Sequence, residues 1–258
     1  MPEKIGFEIH LAEHCNLNCA GCDNLSPLAE PEFVSVEEFM KDFKRMAELF
    51  NHECSRIHLL GGEPLLHPEL LNLIEIARDN FTQGIINLYT NGILLPQQDD
   101  KFWQTCKKSN ITLIITKYPI NIDREKIMKN AEKFDIQVKW VGFEGLKDKQ
   151  FAMRPLNLSG SGDMKNNFAM CYRACVCIAL SHGKLFPCSL APNIRHFNKY
   201  FKQNIPITED DYIDIYQAKS GQEILKRLTQ PIPLCRYCDL NFKTVKWRVS
   251  ERKMEEWV

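Results

Sequence analysis

Apolar and polar residues alternate over positions 5–11, and a period of two predicts a half-buried β-strand. After Ser35 the period lengthens. Val36, Phe39, Met40, Phe43, Met46, Ala47 and Phe50 recur at helical spacing, with Ser35 as N-cap and Glu38 completing a capping box. Positions 56–60 predict a second strand, ending at Gly61-Gly62. Pro68 opens a helix to about residue 80, with Leu71, Ile74 and Ile76 among its apolar positions. A third strand follows over 85–89, a helix near 100–109, a fourth strand over 111–116, a helix from Asp123 and a fifth strand over 136–141. Regular strand–helix alternation implies right-handed crossovers and a parallel α/β sheet, open or curled.

Near residue 150 the pattern changes. Residues 157–167 are rich in Gly, Ser and Asn and read as a loop. Positions 178–180 and 184–186 flank Ser181-His182-Gly183 as a hairpin. A helical segment lies within 208–229, and Pro231 and Pro233 interrupt the chain beyond it. The expected division is a strand–helix domain over 1–150 and a smaller one over 151–258.

The chain has 258 residues, 44% hydrophobic and 26% charged, which allows a normal buried core. Its formal net charge is zero, so nothing electrostatic points to nucleic acid or an anionic membrane. No apolar run approaches a membrane span, and Met1-Pro2-Glu3-Lys4 does not read as a signal peptide. Eleven cysteines without a secretion signal point to a reducing, cytoplasmic setting, where clustered cysteines serve as metal ligands or catalysts more often than in disulfides.

Cys15, Cys19 and Cys22 follow the first strand at Cys-x3-Cys-x2-Cys spacing, with no fourth cysteine nearby. Three thiolates can hold three irons of a [4Fe-4S] cluster and leave the fourth open, whereas ordinary ferredoxin clusters close every corner with cysteine. A zinc site favours paired Cys-x2-Cys units and fits this triad less well. Gly61-Gly62-Glu63-Pro64 ends the second strand, Thr90-Asn91-Gly92 the third and Thr116-Lys117 the fourth. Ligands of such sheets bind at the carboxyl ends of the strands.

Together these features resemble the radical S-adenosylmethionine (radical SAM) superfamily. The resemblance implies that Cys15, Cys19 and Cys22 hold a cluster whose open iron binds S-adenosylmethionine, and that one electron releases a 5′-deoxyadenosyl radical. It implies cofactor contacts from Gly61, Gly62 and Glu63 (the last to the methionine ammonium), from Thr90 and Asn91 near the ribose, and from Lys117 to the carboxylate. It also implies a flavodoxin- or ferredoxin-type electron donor. One position departs from the family: the residue before the third cysteine is usually aromatic and packs near adenine, and here it is Gly21.

Cys171, eleven residues, Gly183, four residues and Cys188 form a second pattern, and Cys235-x2-Cys238 supplies two more thiols. This layout resembles the auxiliary-cluster extension called twitch and implies a second [4Fe-4S] cluster on Cys171, Cys188, Cys235 and Cys238. Four thiolates close every iron, so such a cluster carries electrons. Cys175 or Cys177 could replace Cys171, and a structural zinc site is the other reading of the four. Cys54 and Cys106 read as buried small hydrophobes.

The whole cysteine layout is similar to the 2-deoxy-scyllo-inosamine dehydrogenase family, which oxidises a secondary alcohol. That likeness implies a shortened partial (β/α) barrel, in keeping with five predicted strands, plus a small C-terminal auxiliary domain. It implies that Arg154 contacts the substrate alcohol, and that the second cluster accepts an electron as a small polar substrate is oxidised. Radical modification or epimerisation of a peptide is the alternative. A bare electron carrier or zinc module is a third class, against which the open cluster corner argues.

Overall fold

The computed structural model describes residues 4–142 and 150–258. Most of the start Met1-Pro2-Glu3-Lys4, read above for a leader, lies outside the described residues. In chain order the elements are β1 (Gly6–Ala12), α1 (Val36–Leu49), β2 (Arg56–Gly61), α2 (Leu70–Asn80), β3 (Ile85–Thr90), α3 (Asp100–Lys108), β4 (Ile111–Thr116), α4 (Arg124–Lys133), β5 (Gln137–Val141), β6 (Gln150–Met153), α5 (Met164–Ala169), β7 (Ala179–Ser181), β8 (Lys184–Phe186), α6 (Leu190–Phe201), β9 (Ile213–Asp214), α7 (Gly221–Leu228) and β10 (Lys243–Lys246).

Polar alternation and caps explain the first half. Phe7, Ile9 and Leu11 of β1 are buried against Phe39, Phe43 and Met46 of α1, and the same core continues to Leu73 and Ile74 of α2 and Trp103 of α3. Ser35, Asp99 and Asp123 each accept a backbone N–H at a helix start, which supplies one of the four orphan donors there. The expected reciprocal half of the Ser35 capping box does not form. Glu38 pairs instead with His182 Nδ1 at 2.8 Å.

Among the described residues the main sheet runs β5-β4-β3-β2-β1-β7-β8-β9. β1 to β5 are parallel neighbours, and β1 also pairs in parallel with β7 through Glu8↔Ala179 and Ile9↔Leu180. The sheet therefore continues across residue 150. β7 and β8 form the expected hairpin, in which His182 and Gly183 both take positive φ, 49° and 69°, as a tight primed turn demands. A side chain at 183 would also meet the Tyr216 ring at 2.7 Å.

A second apolar cluster joins Leu156, Phe186, Ile194, Phe197, Ile232, Leu234 and Trp257 to Leu25 and Leu28 from the loop after Cys22. One expectation for this half fails, and one helix was not expected. Residues 157–167 are not all loop: Asp163 caps α5 by accepting from the N–H of Lys165 and Asn166. α6 is the unexpected helix: its Pro192 lies in the first turn, where no helical hydrogen bond is lost.

Candidate functional site

The ends of β1 to β4 meet around one cavity of about 620 Å³. Cys15, Cys19 and Cys22 wall it together with Gly61, Gly62, Thr90, Asn91, Thr116 and Tyr118. The strands hold this wall by close backbone approach. Gly62 N–H donates to Ala12 O at 2.7 Å and Glu63 N–H to His14 O at 3.0 Å. A Cβ on Gly61 would lie 2.3 Å from Ala12 O, and one on Gly62 would lie 2.0 Å from His14 O. Only glycine lets the segment leading into Cys15 cross so near the end of β2.

Each sulfur of the triad collects N–H donors. Cys15 Sγ accepts from Leu17 N–H at 3.4 Å and from Asn91 Nδ2 at 3.6 Å. Cys19 Sγ accepts from Trp247 Nε1 at 3.1 Å. The backbone N–H groups of Asn24 and Ser26 serve Cys22. This is the donor pattern a cluster-bound thiolate needs, so the residues fit the group. As free thiols all three are held protonated. Burial pushes Cys15 up, Cys19 up to about 11 and Cys22 up to about 12, and neighbouring thiols add to the last two. Among the described residues no three His, Cys, Asp or Glu side chains gather closely enough to share one metal ion.

The remaining expected cofactor residues divide. Thr90 and Asn91 are on the wall, but their polar groups are partly committed. Thr90 Oγ1 donates to Glu63 at 2.7 Å, and Asn91 Nδ2 donates to Asn16 Oδ1 at 2.7 Å. Glu63 is fully buried behind the wall. Its carboxylate accepts from Leu65 N–H, Thr90 Oγ1 and Asn91 N–H at 3.1, 2.7 and 2.9 Å. Burial lifts it to about 7 against the pull of those donors. Lys117 is not on the wall, whereas Thr116 and Tyr118 on either side are. Extended backbone turns alternate side chains to one face, which puts Thr116 and Tyr118 together.

Cys171, Cys188, Cys235 and Cys238 wall a second cavity of about 360 Å³ with Arg154, Asn167, Phe168 and apolar neighbours. Cys175 and Cys177 are not on it; Cys175 Sγ donates to Leu228 O at 3.4 Å. Asn167, buried, donates from Nδ2 to both Cys235 O and Cys238 O at 2.8 Å and so fixes the Cys-x2-Cys turn. Burial pushes Cys188 and Cys235 up, and Cys238 up to about 11.

Arg154 belongs to this second cavity and not to the first. Its guanidinium lies 4.8 Å from the Phe242 ring and 5.6 Å from the Tyr172 ring. Nε and Nη2 are buried with no hydrogen-bond partner among the described residues. Two unpaired donors beside four thiols suit an anionic occupant. Arg173, also buried, joins the two cysteine regions by pairing with Asp23, the residue after Cys22.

The space beside Gly21 explains its departure from the aromatic pattern. Gly21 has φ of 65°, and a Cβ there would reach Glu256 O and the Met153 side chain, both at 3.2 Å. Aromatic rings reach the same place from elsewhere. Tyr118, Phe151 and Trp247 line a pocket with Cys19, Gly21 and Cys22. Phe151 and Trp247 carry no linear motif that ties them to residue 21.

Residues 9–135, just under half of the chain, match the Radical SAM superfamily. Molybdenum cofactor biosynthesis protein 1 of Bos taurus is 29% identical over 159 residues, 58% of this chain and 24% of that protein. GTP 3′,8-cyclase of Staphylococcus epidermidis is 27% identical over 177 residues, 58% of this chain and 51% of that protein. The chain thus spans between a quarter and about half the length of these curated relatives. Among solved structures, BtrN in complex with AdoMet and 2-DOIA superposes with a TM-score of 0.55 at 16% identity, over 93% of this chain and 94% of that one. Native anSMEcpe with bound AdoMet and Kp18Cys peptide gives 0.52 at 14% identity, over 89% and 81%. The shared fold is the α/β partial barrel of radical SAM proteins.

Proposed function

We propose that this radical SAM protein takes hydrogen from a carbon bearing hydroxyl in a small polar substrate, such as a sugar, aminocyclitol or nucleotide, and releases the oxidised product. When bound, a [4Fe-4S] cluster supplies the electron that turns S-adenosylmethionine into a hydrogen-abstracting 5′-deoxyadenosyl radical, and a second cluster supplies a one-electron acceptor. Cys15, Cys19 and Cys22 would hold the first cluster, with Leu17, Asn91 and Trp247 donating to its sulfurs. Gly61, Gly62, Thr90, Asn91, Thr116 and Tyr118 bound the space for S-adenosylmethionine, and Glu63 keeps Thr90 and Asn91 in register from behind. Cys171, Cys188, Cys235 and Cys238 would hold the second cluster, with Arg154 as its counter-charge. The proposed parting of the chain into a barrel over 1–150 and an auxiliary unit over 151–258 is one of ligand sets, since the sheet runs through both.

The observation that carries this reading is the pairing of two separate cysteine-walled cavities, one with three thiols and one with four. Net oxidation removes two electrons from substrate. The abstraction accounts for one, and the second set gives the other a destination. The likeness to a peptide-bound structure keeps a redox-neutral or peptide-directed radical reaction as the alternative. The test uses anaerobically reconstituted protein, S-adenosylmethionine and a panel of deuterated secondary alcohols. Oxidation predicts deuterium in 5′-deoxyadenosine and a ketone product, lost when Cys235 and Cys238 are both changed to Ala. A product at the substrate's own oxidation level, with solvent hydrogen at the reacting carbon, would replace it with the alternative.

A further inference from the structure

Trp247 comes from the far end of the chain, yet its indole Nε1 lies 3.1 Å from Cys19 Sγ. Its placement is fixed on every side. Before it, β10 pairs with β6 through Lys246↔Gln150 and Lys243↔Met153. After it, Ala20 N–H donates to Arg248 O at 3.0 Å and Ser250 N–H to Asn18 O at 2.8 Å, with a bridge between Cys19 and Val249. Further on, Trp257 Nε1 donates to Cys22 O at 3.0 Å. Buried Glu256 locks the turn between them, accepting from Ser250 Oγ, from Glu251 N–H at 2.9 Å and pairing with Arg248 at 2.7 Å. The segment after β10 is thus laid against the cysteine loop as a short added strand, and one donor is aimed at one sulfur.

We propose that Trp247 is a positioning residue of the first cluster, whose indole N–H hydrogen-bonds to the Cys19 thiolate and raises the reduction potential of that cluster. The inference rests on the three-cysteine cluster read above. A hydrogen bond to a ligating sulfur withdraws electron density and favours the more negative, reduced form, one of the levers by which a protein sets a cluster's potential. The indole is also the donor suited to this task. It donates only, so it cannot turn and present an acceptor to sulfur. Cys15 and Cys22 receive backbone N–H groups of their own loop, so they keep their donors whenever that loop folds. Cys19 also takes hydrogen bonds from its own backbone N–H and from the Tyr118 hydroxyl; of these donors Trp247 is the one that depends on residues 243–257 being in place, so that part of the first cluster's reducibility is tied to the C-terminal segment.

The test compares wild type with Trp247→Phe, which keeps an aromatic ring and removes the N–H, and Trp247→His, which returns a donor. Each is reconstituted anaerobically, its iron counted, and its clusters titrated by electron paramagnetic resonance. The signal that changes on adding S-adenosylmethionine identifies the first cluster. We expect full iron in Trp247→Phe and a more negative midpoint. At the wild-type midpoint, the ratio of reduced to oxidised cluster should fall about tenfold, which is about 59 mV for one electron. Trp247→His should recover part of the shift, and the second cluster's midpoint should stay where it was. An unchanged first midpoint in a fully loaded Trp247→Phe protein overturns the proposal. So does loss of iron in Trp247→Phe, which would make the indole an assembly element. Wild-type protein with no signal responsive to S-adenosylmethionine would instead remove the underlying cluster reading.

Discussion

Glu63 has no exposed surface and three donors pointed at its carboxylate, and the balance between those facts is measurable. Burial lifts it from the ordinary 4.5 to about 7. The folded state then holds a proton that the unfolded chain has released, so this group's stabilisation is full below about pH 4.5 and is lost as pH rises through about 7. The loss is at most about 3 kcal/mol. Glu63→Gln should therefore be less stable than wild type at pH 5, by about 1–3 kcal/mol, because one amide must face a donor. The deficit should shrink by pH 8, as urea titrations at the two pH values will show; a constant deficit would place Glu63 as an ionised carboxylate throughout. The same residue shows where sequence reading stopped. Its place after Gly61-Gly62 was legible, but not that Thr90 and Asn91 would consume its oxygens, since that contact spans 27 and 28 residues. Arg154, expected at a substrate hydroxyl, shares its cavity with four thiols. Arg154→Met should change the stability of the cluster-free protein by less than about 1 kcal/mol, since the arginine leaves donors unpaired there. It should lower iron loading at the second site, read by iron analysis beside thermal melts.

At the scale of elements, the first half of the molecule was legible because each strand and helix carries its own period, and α1, α3 and α4 carry their own caps. β4 runs over the predicted 111–116, and α4 begins after the predicted Asp123 cap. The second half was less so because its order comes from partners. β6 and β10 are short strands that, among the described residues, form a two-stranded sheet of their own across about ninety residues of chain. The glycines at the end of β2 were read as an approach to ligand; the structure adds that they admit the backbone of residues 12–14. Gly62→Ala should push His14 and Cys15 outward. The expected result is a lower melting temperature and loss of about half the bound iron, since one ligand of one cluster is displaced. Full iron with an unchanged melt would show that the crossing of these strands relaxes without cost.

For the whole molecule, the proposal of two clusters predicts about eight irons per reconstituted chain. Changing Cys15, Cys19 and Cys22 together to Ala should leave about four and end S-adenosylmethionine cleavage; changing Cys235 and Cys238 should leave about four and spare the cleavage. Zinc in place of the second four would confine the electron-acceptor role to some other group. The position of β1 has a consequence for how the chain is made. It leaves the ribosome before both of its neighbours in the sheet, β2 and β7. One flank of β1 must stay open until residue 180 has been synthesised, about ten to thirty seconds at ordinary translation rates. Through that interval the nascent protein offers an unpaired strand edge next to three uncovered thiols. Chaperones that mask strand edges would have to act within it.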